Sequence, residues 1–142
     1  MWADTLQAYE ARHLLLLIES GGASVLIGIL LLAVLSLRRI KAALVSHFAI
    51  QCAFWGAAEL AWGAFAYRDV PLRDYEGAVE LARELWIAVG LEAGGLLLGL
   101  TLAVGGWSHV KRLGVVGSGI GIAVQASALL VLDLIFVRAI HL

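Results

Sequence analysis

The chain has 142 residues, 62% of them apolar and only 15% charged, with a formal net charge of −1. A soluble fold of this length exposes too much surface to hide so much apolar material, and a chain without a basic excess lacks the electrostatic footprint of a nucleic-acid-binding protein. Sixteen glycines with no repeat exclude collagen, and the single cysteine, Cys52, supports neither a disulfide framework nor a cysteine zinc site.

The N-terminal segment is acidic where a secretory signal is cationic: Asp4 and Glu10 precede the first apolar run, and Glu19 interrupts it. That run is expected to remain as an anchor. Uncharged stretches follow over Ser20–Leu37, Ala42–Ala58, Ala93–Val110 and Leu113–Leu132. A spanning helix needs roughly 20 mostly apolar residues, so extending each stretch past one acid predicts helices over about 10–37, 42–66, 76–107 and 113–138. The expected fold is all-α: one polytopic domain over residues 1–142, with four transmembrane helices in an up-down antiparallel bundle joined by short loops.

The first turn carries Arg38, Arg39 and Lys41 and the third Lys111 and Arg112, with no acid in either. Arg12, Arg68, Arg73, Arg83 and Arg138 are spread over the other side. The dense cationic turns are expected in the cytoplasm and both termini outside it. The middle loop holds the only proline, Pro71. Leu72, Tyr75, Val79 and Trp86 recur beyond it at helical spacing, so helix 3 is expected to begin ahead of the membrane. Glu76, Glu80 and Glu84 stack like charges on one face, which Arg73 and Arg83 can relieve. This repeat reads either as a solvated face or as a cation-attracting vestibule. Trp2, Trp86 and Trp107 fall near the predicted interfaces, where indole is favoured.

Each predicted helix carries a carboxylate that is costly in hydrocarbon and expected to face the bundle interior: Glu19, Glu59, Glu92 and Asp133. Polar residues fall in stripes. On helix 2 these are His47, Gln51, Trp55, Glu59 and Trp62; on helix 3, Glu84, Ala88, Glu92, Gly95 and Gly99; on helix 4, Ser118, Gln125 and Asp133. On helix 1, Arg12 and Glu19 are two turns apart. The stripes predict one ligand-binding chamber lined by Glu19, Glu59, Glu92 and Asp133, with Gln51, Gln125, His47 and Arg12 beside them and Trp55 and Trp62 offering aromatic faces to a cation. The competing reading is that these groups pair with one another as interhelical glue, that the tryptophans pack, and that His47 is a hydrogen-bonded structural histidine. Of the histidines at 13, 47, 109 and 141, only His47 is expected inside the membrane. The glycine-rich segments 95–99 and 114–121 are expected to be close-contact faces, within the bundle or against a second copy.

Other chemistries lack their residues. The repeated Glu-x-x-His pairs of a di-iron bundle are missing, haem has no second membrane histidine, and no Ser–His–acid grouping shares a depth. The glycines at 114–121 have neither the preceding strand nor the following lysine of a phosphate loop. No cofactor and no metal is expected.

The run Phe48–Glu59 with Trp55, the Leu91-Glu92 pair, and Gly121, Gln125 and Asp133 resemble a family of small bacterial four-helix membrane proteins designated only as a domain of unknown function. The resemblance spans nearly the whole chain. It implies the four-helix fold, a polar interior belonging to the architecture, and a place in the bacterial inner membrane; it implies no activity. Members tend to carry asparagine where this chain has Gln51 and Glu59, and aspartate where it has Glu92, so this interior is the more acidic. His47, Trp55, Glu59 and Glu92 also resemble the sterol isomerase-like bundles in residue type, though not in order.

The leading expectation is a non-enzymatic protein of the lipid bilayer that binds or transports a small cation or cationic amphiphile, exchanging it against protons on the carboxylates. The alternatives are a structural or accessory subunit of a membrane complex, and an intramembrane acid–base enzyme acting on a lipid. A ligand-dependent rise in melting temperature favours the first, co-purification with a fixed partner the second, and turnover of a lipid the third.

Overall fold

The computed structural model describes residues 2–140, and among these every regular element is helical. The helices are α1 (Trp2–Leu37), α2 (Ala43–Tyr67), α3 (Tyr75–Gly105) and α4 (Leu113–Ala139), with a π-helical turn over Gly106–Val110 that prolongs α3. Three of them, α1, α3 with its π turn, and α4, are long and apolar enough to cross a membrane. The 25 residues of α2 suffice in length, but His47, Gln51 and Glu59 dilute its apolar character.

Helices 2 to 4 end close to where the apolar runs predict, whereas α1 begins at Trp2 instead of near residue 10. The extra turns exist because they have something to pack on. Leu6 joins Ala78, Leu81 and Leu85 of α3 and Phe136 and Val137 of α4 in one buried cluster. Asp4 in the first turn also complements the positive end of the helix dipole. At the start of α3, the Asp74 side chain caps the helix by accepting from Gly77 N at 2.9 Å. The helix starts at Tyr75, close to the expected residue 76; Tyr75, Val79 and Trp86 lie on its exposed side, Leu72 is exposed in the loop before it, and Ala78, Leu81 and Leu85 face inward. Arg39 and Lys111 take left-handed backbone angles, φ 52° and 51°. Both are cations just beyond helix C-termini, where positive charge is favoured.

Glycine seams set the helix pairing. A Cβ on Gly21 would come within 2.6 Å of Leu60 N, and one on Gly28 within 2.6 Å of Ala49 O, so the α1 and α2 backbones touch with residue numbers running in opposite directions. A Cβ on Gly99 would come within 2.5 Å of Ala123 N, while Gly106 sits against Val116, which gives α3 and α4 the same reversed register. Between α2 and α4 the register runs forward: Gly117 abuts the Leu44 carbonyl and Gly121 abuts Gln51. The glycines of 95–99 and 114–121 that make contact are thus used within the chain. No Cα of α3 comes within 8 Å of one in α1 or α2. A Cβ on Gly95 would meet Ala126 at an ordinary 3.5 Å.

These contacts rank two substitutions. Gly99→Leu should destabilise the protein by about 1–3 kcal/mol through overpacking, seen as a lower melting temperature in detergent, and Gly95→Leu should cost clearly less. Equal melting of the Gly99 variant and the parent would mean that this seam is not closed.

Candidate functional site

Near the end that carries the α2–α3 loop, α2 and α3 stand apart, with α1 and α4 between them. The space left is a cavity of about 600 Å³, within the range of small-molecule sites. His13, Leu14 and Leu17 of α1 and Leu129, Asp133 and Phe136 of α4 form its floor. One wall is Trp55, Ala58, Glu59, Trp62 and Ala66 of α2, and the other is Leu81, Glu84, Leu85, Ala88 and Glu92 of α3. Trp55 and Trp62 are 41% and 65% exposed, so they stand at the rim.

Polar side chains are arranged in three groups. Ser24 Oγ donates to Gln125 Oε1 at 3.0 Å, and Gln125 Nε2 donates to Glu59 Oε1 at 2.7 Å. Ser20 also lies within hydrogen-bonding reach of Glu59, while Glu59 Oε2 and Glu92 Oε2 themselves are buried and make no hydrogen bond. Glu92 lies within hydrogen-bonding reach of Asp133 and feels the charge of Glu59. Asp133 in turn faces His13, with Nε2 3.1 Å from Oδ1, and the imidazole stacks on Phe136 at 4.5 Å. Across the loop end, Arg73 donates to both oxygens of Glu10, Nε at 2.9 Å and Nη2 at 2.8 Å. That hydrogen bond holds the Arg73 guanidinium above its usual value, aided by the charges of Glu84 and Glu80. Gln7 Nε2 donates to Val70 O at 2.7 Å, which ties the same loop to α1.

The cavity draws together part of the constellation expected from the stripes. Glu59, Glu92, Asp133, Trp55 and Trp62 line it. Gln125 is buried directly behind Glu59 as its hydrogen-bond donor. Gln51 is half-buried outside the walls and accepts from Trp55 Nε1 at 2.9 Å, orienting the indole. Three expectations need correction. Glu19 and Arg12 do lie two turns apart, but on an exposed side of α1. The packed face of that helix is Leu6, Glu10, His13, Leu14, Leu17, Gly21 and Gly28. His47 is exposed; its Nδ1 lies 2.9 Å from Ala43 O and its ring fits against Gly114, as a structural histidine does. His13, expected outside the membrane, is the histidine that is buried and lines the cavity. His109 is exposed in the π turn, and His141 lies outside the described residues.

Glu10, His13 and Arg73 were not singled out by the stripes. Glu10 and His13 form a lone Glu-x-x-His spacing, and both face the cavity, yet they take separate partners. Among the described residues no three His, Cys, Asp or Glu side chains are arranged to hold a metal ion. Helical spacing from Glu10 through Leu17 to Gly21 was the available signal. Arg83 relieves the glutamate repeat through Glu80 at 3.4 Å, at an exposed site.

Fold and site together define an all-helical protein with membrane-competent helices around an acidic cavity. The chain belongs to a family of unknown function, DUF6992, whose sequence profile matches residues 16–134. Glu59, Glu92, Gln125 and Asp133 fall inside the matched region, and Glu10 and His13 lie ahead of it. No curated protein and no solved structure matches the chain.

Proposed function

We propose that this protein spans the bacterial inner membrane four times as an up-down antiparallel bundle and binds a cationic amphiphile in its carboxylate-lined cavity. The observation that carries this reading is the cavity's lining, in which Glu59, Glu92 and Asp133 come together from three helices beside Trp55 and Trp62. The net acidity of the lining selects a cation, and indole faces favour one further. Exchange of the ligand against protons on the carboxylates would make such a protein a carrier. The glue reading draws on the Ser24–Gln125–Glu59 chain but gives no reason for a cavity between the walls.

An alkylammonium should raise the melting temperature of the purified protein, and an alkylcarboxylate of equal chain length should not. Equal effects of the two would remove the basis for a cation site. The orientation proposed, with the cationic turns cytoplasmic and both termini outside, has its own test. In a Cys52→Ala background, Ser36→Cys and Ser108→Cys should resist an impermeant thiol reagent in whole cells, and Val70→Cys should react. The opposite labelling pattern would reverse the orientation.

A further inference from the structure

Away from the cavity, the turn joining α1 to α2 and the turn joining α3 to α4 share one end of the bundle. We infer that this end is a docking surface for anionic phospholipid headgroups of the leaflet it faces, with the groove beside Trp107 and Lys111 as its most enclosed part. The inference rests on the membrane-spanning reading above and is independent of what the cavity holds.

Packing brings the two turns together. A Cβ on Gly117 would run into the Leu44 carbonyl and one on Gly114 into the His47 ring, so α2 and α4 start side by side. Lys41 stands just ahead of α2 and Arg112 just ahead of α4, while Arg38 and Arg39 follow α1 and Lys111 follows the π turn. All five cations are exposed, and none forms an ion pair with a described residue. The sequence holds no acid between Glu19 and Glu59, nor between Glu92 and Asp133. At about 1.5 Å per helical residue, roughly 25 Å separates each turn from the nearest acid of its own helices. That is about three times the ~8 Å screening length at physiological ionic strength. Helix dipoles do not answer the charge either. The negative ends of α1 and α3 meet the positive ends of α2 and α4 here, so the dipoles offset one another and the side-chain charges remain.

What surrounds the cations selects a lipid. Leu37, Ile40, Trp107, Val110 and Leu113 are interleaved with them in the sequence, and all five are exposed, Leu37 at 84% and Trp107 at 69%. Nucleic acids and acidic proteins meet their cations in water, where so much bare apolar surface is costly. At headgroup depth the same apolar side chains rest against acyl chains while Lys and Arg reach the phosphates. Gly106, Trp107, Lys111 and Leu113 enclose a groove of about 340 Å³. A recess with an indole wall and one ammonium fits a single phosphate and the beginning of its acyl chains. Zwitterionic headgroups carry a phosphate too, but their own cation cancels its attraction, so the unanswered positive charge prefers a lipid with net negative charge.

The test uses the full chain reconstituted in phosphatidylcholine vesicles, with Trp107 emission as the readout, taken as the difference between the parent and Trp107→Phe. Brominated phosphatidylglycerol should associate at least threefold better than brominated phosphatidylcholine, judged by quenching, and raised salt should shrink that preference. Lys111→Gln combined with Arg112→Gln should bring the preference close to parity, and Arg38→Gln combined with Arg39→Gln should lower it. Arg68→Gln combined with Arg138→Gln, at the opposite end, should leave it unchanged. Equal quenching by the two lipids would overturn the inference, as would a preference that survives the Lys111 and Arg112 changes intact. Retention of an oligonucleotide by vesicles that show no lipid preference would assign the patch to a soluble polyanion and overturn it too. If the chain does not float with the vesicles, the membrane-spanning reading falls and this inference with it. Flotation with equal quenching removes this inference alone.

Discussion

Replacing Arg73 by glutamine should destabilise the protein by about 3 kcal/mol, because it strands a buried carboxylate rather than merely deleting an ion pair. Glu10 is 7% exposed, and both of its oxygens are taken by Arg73. A surface pair would contribute far less and would weaken with salt; this one should be nearly indifferent to salt. The guanidinium, held above its ordinary value by its bond to Glu10, contributes stability that is intact below that ordinary value and is lost only in stronger alkali. Glu10→Gln combined with Arg73→Gln removes both charges and should recover most of the loss. Thermal melting of the two singles and the double in one detergent measures the coupling. If Arg73→Gln melts like the parent, the loop is not latched to α1 by this pair.

That pair also marks how far the sequence could be read. Apolar runs place α2, α3 and α4 because hydrocarbon-length stretches leave little choice. The Gly99, Gly117 and Gly121 contacts follow from the same logic, since small residues at helical spacing let backbones meet. Which stripe of a helix turns inward is harder. A helix apolar all round gives no amphipathic direction, so on α1 the Arg12–Glu19 stripe and the Glu10–His13–Leu17 stripe compete on equal terms. Contacts decided between them: Glu10 meets a residue 63 positions away, and His13 meets Asp133 across most of the chain. On α2 and α4 the decisive stripes carried several polar groups each, and Glu59, Gln125 and Asp133 did turn inward. His47 followed the α2 stripe in spacing but sits a full three turns from Glu59, at the far end, where a hydrogen bond to its own helix satisfies it.

Glu92→Gln should leave folding nearly unchanged and abolish the pH dependence of alkylammonium binding. Glutamine keeps the shape of the side chain and one carbonyl acceptor, and its amide can donate to Asp133, which Glu92 already reaches. What disappears is a proton site and a negative charge. The groups around that site are Glu10 and His13 from α1, Glu59 from α2, Arg73 from the loop, Glu84 from α3 itself and Asp133 from α4. Two of these, Glu10 and Arg73, neutralise one another, leaving a lining in which carboxylates outnumber cations. Protons and the ammonium compete for it, so affinity in the parent should fall as the solution is acidified. In the variant, affinity should drop about tenfold, equivalent to about 1.4 kcal/mol, and vary little with pH. Glu19→Gln, on the exposed side of α1, is the control: it removes a carboxylate of the same kind outside the cavity and should bind like the parent. If Glu92→Gln binds with parental affinity and parental pH dependence, the cluster serves only to join helices, and the cavity is not a cation site.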